Sequence, residues 1–181
     1  VNTIPNDVSP PFSNDVGHAI VIAAGGGLGK SDAANINYQM DQMVKAGITW
    51  VRFDIEWGLV QYSSPDKSDW SGYDTFVDAL NAHHLKGLGI ILFTPEWARD
   101  PKCGGGAKCP PRDPKLFATF AAQIAARYKD KGLHYWEIWN EPNSYNFWAT
   151  KTDCVAYTNL LKATYPAMKA VDPDAFLVTG G

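Results

Sequence analysis

Tyr135-Trp136-Glu137-Ile138-Trp139-Asn140-Glu141-Pro142-Asn143 gathers two carboxylates and two amides into nine residues. In a parallel sheet the groups that do chemistry collect at the carboxyl ends of the strands. Asn140 and Glu141, just ahead of a proline that stops the strand, stand where a general acid would. Strand alternation puts Glu137, Trp139 and Glu141 on one face, so Glu137 is expected a layer below Glu141. A carboxylate at that depth needs a partner, and Arg52 is the candidate. On spacing alone, an ordinary polar loop after a strand fits Asn140-Glu141-Pro142 equally well.

These residues are positioned by alternating strand-like and helix-like blocks. The pattern predicts strands at His18 to Ala24, Thr49 to Ile55, Gly87 to Phe93, His134 to Trp139 and Ala175 to Thr179. It predicts helices at Ser31 to Lys45, Tyr73 to His84, Lys115 to Lys129 and Asp153 to Val171. Asp113 is the expected N-cap of the third helix, with Pro114 at its first position. Asp172-Pro173-Asp174 stops the fourth. Repeated strand-helix units imply a mostly parallel sheet, either doubly wound or closed into an eight-stranded barrel. A whole barrel takes about 250 residues, so five strands and four helices in 181 residues would be strands 1–5 of one, with over a third outside the chain. Residues 1–17, rich in Pro, Asn and Asp, are expected to wrap the surface, and residues 18–181 to form part of a single domain.

Composition excludes several classes. A charge of −3, with 16 Lys plus Arg against 19 Asp plus Glu, and 45% hydrophobic residues fit neither a disordered tail nor a basic nucleic-acid module. No apolar run is long enough to cross a membrane. The start at Val1, without a basic-then-apolar segment, implies that any signal peptide has been removed or lies outside the sequence. Cys103 and Cys109 flank a glycine-rich loop that closes easily into a small disulfide ring, which suits a secreted or extracytoplasmic setting; two free thiols are the alternative. Cys154 reads as a buried thiol or as half of a bridge to something outside the chain.

The segment WEIWNEPN resembles the fourth-strand motif of clan A glycoside hydrolases, a group of (β/α)8 barrels that includes cellulases and β-xylosidases. Ala46-Gly47-Ile48-Thr49-Trp50-Val51-Arg52-Phe53-Asp54 is similar to their second strand. Thr94-Pro95-Glu96-Trp97-Ala98, Phe147-Trp148, Val171-Asp172-Pro173-Asp174 and Val178-Thr179-Gly180-Gly181 come in the matching order. The nearest flavour is family 39, the xylosidase-like branch. The resemblance implies a retaining glycosidase that needs no cofactor. Glu141 would be its general acid/base, Asn140 the ligand of the sugar 2-hydroxyl, and Arg52 a support for the catalytic carboxylates; Arg52 serves equally as a structural partner of Glu137. Such an enzyme needs a second carboxylate about 5 Å from the first. In the family this nucleophile is a Glu ending strand seven, outside this chain; Asp54, Glu56 and Glu96 are the in-chain substitutes. The expected partners are a carbohydrate substrate and the rest of the barrel, supplied by a second chain or a second copy of this half.

Trp57, Trp97, Trp139 and Trp148 fall at or after strand ends, where indole faces suit sugar rings; Glu96 and Asn143 could bind hydroxyls, while Trp50 and Trp136 are assigned to packing. A non-catalytic carbohydrate-binding barrel is the alternative reading. Gly25-Gly26-Gly27-Leu28-Gly29-Lys30-Ser31 sits between a strand and a helix, as a phosphate-binding loop does, but Val51-Arg52-Phe53-Asp54 is a poor partner strand for Mg²⁺, so nucleotide binding is a remote alternative. His18, His83, His84 and His134 have no metal-site spacing.

Overall fold

The structure is a computed structural model that describes residues 20–24, 32–149 and 151–181. The N-terminal segment 1–17, His18 and the glycine-rich loop 25–31 lie outside the described residues. Five parallel strands, β1 (Val21–Ala23), β2 (Trp50–Glu56), β3 (Lys86–Leu92), β4 (Tyr135–Ile138) and β5 (Phe176–Thr179), stand side by side in chain order. The helices α1 (Ala33–Lys45), α2 (Trp57–Val60), α3 (Ser71–Ala82), α4 (Pro114–Tyr128) and α5 (Cys154–Val171) complete the βα units. The single turn α2 has no counterpart in the sequence pattern, because four residues are too few to show a period.

The helices start where side chains can cap them. Asp32 accepts from the Asn35 amide, Asp113 from that of Lys115, and Asp153 from those of Val155 and Ala156. Ile36, Met40 and Met43 recur at helical spacing and form the buried stripe of α1. Between α3 and α4, Arg127 Nε and the Tyr128 hydroxyl both donate to Asp74.

Alternation along β2 sorts its residues cleanly. Val51, Phe53 and Ile55 are buried beneath the helices, while Trp50, Arg52, Asp54 and Glu56 face the opposite side and are only partly covered. The register carries that opposite face across the sheet: Asp54 aligns with Ile90, Ile90 with Glu137, and Glu137 with Val178. On the helix side β3 carries glycine where β4 carries Trp136; a Cβ on Gly89 would stand 3.0 Å from the indole.

At the carboxyl ends the backbone departs from the extended form. Phe93 (φ 61°) comes after β3, and Trp139 (φ 67°) and Glu141 (φ 40°) come after β4, all in the left-handed region that bulky residues avoid. This corrects the alternation expected for Glu137, Trp139 and Glu141. Strand β4 ends at Ile138, and the left-handed turn at Trp139 sends its indole into the helix layer against Phe117 of α4.

Candidate functional site

One guanidinium organises the inner face of the sheet. From β2, Arg52 reaches past β3 and donates twice to Glu137, Nε to Oε2 and Nη2 to Oε1, each at 2.7 Å. Nη2 also donates to Oδ1 of Asn140 at 2.7 Å. Glu137 is 3% exposed and accepts a further bond from the Gly181 amide at 3.3 Å. The fork geometry of arginine fits a carboxylate bidentately, which a lysine cannot do. Arg52 therefore pairs with buried Glu137, one of the two roles weighed for it, and also holds the side-chain amide of Asn140, the residue before Glu141.

The charges around this group act on one another. The hydrogen-bonded Glu137 carboxylate raises the Arg52 guanidinium above its ordinary range against the opposing effect of burial, and the charges of Asp54 and Glu141 add to it. Burial pushes the Asp54 carboxyl up; Arg52 pulls the other way, and Glu137 reinforces the rise. Because Asn140 spends its carbonyl oxygen on Arg52, its amide nitrogen is the end left to donate. Glu141 comes next on the strained turn, half-buried, with its own carbonyl accepting from Ser144 N at 2.8 Å.

The tryptophans divide differently from the sequence expectation. Trp57, Trp139 and Trp148 are 0%, 0% and 2% exposed and belong to the core, so none offers a face to a sugar among the described residues. The physical reason is that their rings are satisfied from within. Trp57 Nε1 donates to Gln61 and its ring stacks on Phe120, with centroids 5.4 Å apart; Trp139 Nε1 donates to the Phe147 carbonyl, and Trp148 packs edge-on against Trp139 at 5.2 Å. Trp97 is half-buried, with its indole N–H on the Gln61 carbonyl. Glu96 and Asn143 are exposed, on the loops after β3 and β4, and neither bonds to the Arg52 group. Trp136 is wholly buried, whereas Trp50 lies on the inner face, edge-on to Tyr135 at 4.8 Å.

Sequence reasoning gave no site role to Phe93, the end of a predicted strand, or to Phe147, quoted only within the resemblance. Their half-buried rings lie parallel, 6.3 Å apart, above the ends of β3 and β4, and the strand-end rule applied to the tryptophans would have found Phe93. Cys103 and Cys109 are joined by a disulfide. Their loop is stitched to the segment after β3 by Thr94 N on the Ala107 carbonyl and to the segment after β4 by Ala149 N on that of Lys108. Cys154 is exposed at the start of α5, not buried, because a first-turn position ahead of the helix-packing stripe meets solvent. Among the described residues no group of three or more His, Cys, Asp or Glu is placed to hold a metal ion, and no helix is long and apolar enough to cross a membrane.

Residues 18–181 match the family model described as cellulase, glycosyl hydrolase family 5. Among solved structures, the chain is similar to a monomeric β-xylosidase from Caulobacter crescentus CB15, with a TM-score of 0.69 and 23% identity over 87% of this chain and 35% of that one. It is also similar to a family 39 glycoside hydrolase from Bacteroides cellulosilyticus WH2, with a TM-score of 0.67 and 23% identity over 89% and 31% of the two chains. These likenesses carry the fold: the five parallel strands are part of a (β/α)8 barrel. A curated relative, beta-amylase Tri a 17 from Triticum aestivum, is 31% identical over an alignment of 98 residues that covers 46% of this chain and only 18% of that relative's length.

Proposed function

Because the chain belongs to the cellulase family, glycosyl hydrolase family 5, we propose that it is part of a secreted retaining glycosidase acting on a polysaccharide or glycoside, with Glu141 as general acid/base. The observation that carries this reading is the three-way arrangement at the end of β4. Arg52 ties Glu137 to Asn140 while Glu141 comes directly after on a strained turn, and strain of that kind persists where the surroundings over-determine it. In the proposed reaction, protonated Glu141 gives its proton to the leaving glycosidic oxygen as a carboxylate on the opposite side of the sugar attacks the anomeric carbon. Glu141 then takes a proton from the water that releases the sugar, so the anomeric configuration is kept.

Asn140 donates through its amide nitrogen to the sugar 2-hydroxyl, a contact that strengthens in the transition state. Arg52 fixes the amide in the orientation that makes this possible. The attacking carboxylate is assigned to a strand of the barrel that the 181 residues do not include, so this chain brings one carboxylate of the pair. The small disulfide ring supports a secreted setting.

The test is Glu141→Gln in the protein carrying the whole barrel. Turnover of phenyl glycosides is expected to fall at least a hundredfold, the usual contribution of a general acid, while binding of the same sugars persists. Turnover at the unmodified rate would overturn the assignment. Proton NMR of the first-released anomer checks retention independently.

A further inference from the structure

The strained turn that carries Glu141 is held from one side by a residue the chemistry does not use. Tyr157 of α5 donates its hydroxyl hydrogen to the carbonyl of Ile138 at 2.7 Å and accepts from the amide of Gly180 at 2.8 Å. Ile138 is the last residue of β4, and Gly180 is the first after β5. The paired register of the two strands ends at Ile138 and Thr179. One phenol oxygen therefore continues the ladder at the point where the backbone of β4 turns away into its left-handed residue.

Gly180 is pressed against the same turn. A Cβ there would stand 2.7 Å from the Trp139 carbonyl oxygen and 2.9 Å from Cδ of Pro142, atoms that bracket Asn140 and Glu141 and cannot retreat. The phenol ring is itself held, edge-on to Trp148 at 5.9 Å. Burial pushes the Tyr157 pKa up, so the hydroxyl keeps the proton it donates.

We propose that Tyr157 is a positioning residue for Glu141: by bonding Ile138 and Gly180 through one hydroxyl, it sets the direction in which the turn presents the carboxyl to the leaving oxygen. The inference rests on the reading of Glu141 as general acid. Removing the hydroxyl leaves the ring and its packing in place but frees two backbone groups, and a small displacement of a catalytic group costs a large factor in rate.

The test compares two leaving groups on one sugar, chosen as the sugar whose phenyl glycoside the unmodified protein carrying the whole barrel cleaves fastest among those of xylose, glucose, mannose and galactose. Phenol needs a proton to leave, whereas 2,4-dinitrophenol leaves without one. In Tyr157→Phe, kcat/KM on the phenyl glycoside is expected to fall about tenfold or more, with kcat/KM on the dinitrophenyl glycoside nearly unchanged. The ratio of the two does not depend on how much of the variant is folded, so a merely structural role leaves it at the wild-type value, and that result overturns the proposal. Glu141→Gln is measured beside it. If its ratio falls and that of Tyr157→Phe does not, the positioning role alone is lost; if the Glu141→Gln ratio holds, the acid assignment and the role built on it both fail. Should Tyr157→Phe fold poorly, the same ratio is read on its folded fraction in a stabilising osmolyte: a fall supports the positioning role, and the wild-type value overturns it.

Discussion

Arg52 is the residue on which the inner face depends, because it satisfies a carboxylate that the sheet has taken out of water. Removing one partner of a buried pair leaves the other charge without compensation. Arg52→Met should therefore lower stability by about 3 kcal/mol, read from the urea midpoint. Glu137→Gln keeps one acceptor oxygen and leaves uncompensated the more exposed guanidinium, 26% against 4% for the Glu137 side chain, and should cost less. Asp54, on the same face, is opposite in sign. Its folded-state pKa is raised by burial, so ionising it costs more in the folded than in the unfolded chain. That penalty is absent below the unfolded value of about 3.9 and fully present above the raised folded value. Asp54→Asn is accordingly expected to raise the urea midpoint at pH 7, with a gain that disappears as the pH falls below the ordinary carboxylate range; a gain independent of pH would contradict the cause given. At this scale the sequence marked Arg52, Glu137, Asn140 and Glu141 by type and placement. It could not show that the Trp57 and Trp139 indoles would find acceptors inside the molecule, because those partners, the Gln61 side chain and the Phe147 carbonyl, have no periodic signature.

The loop closed by Cys103 and Cys109 belongs to the scale of elements, since it joins the segment after β3 to the segment after β4. A ring this short removes modest entropy from the unfolded chain, so replacing both cysteines with serine should cost about 2 kcal/mol in denaturant. Thr94 and Ala149, whose amides bond to the loop, should then gain hydrogen exchange ahead of the helices. The elements themselves were largely legible: β2, β3 and α4 begin and end within a residue or two of where period and caps place them. Asp113 caps α4 because an Asp-Pro pair both supplies an acceptor and fixes the first turn. What was not legible is the turn after β4. Alternation extrapolates an extended backbone, and nothing in Trp139-Asn140-Glu141 announces a left-handed tryptophan, whose contacts with Gly180, Phe117 and Trp148 come from elsewhere in the chain. The sequence signal thus failed at the turn that carries Glu141, where long-range contacts override local preference.

At the scale of the molecule, the five parallel strands form, among the described residues, a sheet with two edges and an inner face lined by Trp50, Tyr135 and Phe176, whose rings touch across the strands. At the β1 edge Ile20 and Val21 are 51% and 57% exposed. Beside β5 an apolar groove runs between the strand and α5, lined by Leu161, Tyr165, Pro166, Leu177 and Val178. In the solved barrels this chain resembles, it spans only 35% and 31% of the length, so further chain is available there to cover such surfaces. Parallel sheets are stable when both faces are covered, and unpaired apolar edges recruit other chains. The 181-residue polypeptide on its own is therefore expected to self-associate, with a weight-average mass in sedimentation equilibrium that rises with concentration above 19.9 kDa. A lysine at Val178, which faces the inner side in line with Glu137, should reduce that association if the β5 edge and inner face drive it. A monomeric mass at every concentration, together with cooperative unfolding, would mean that the helix layer alone stabilises the sheet, and the inner face would then have to be counted as solvent-tolerant.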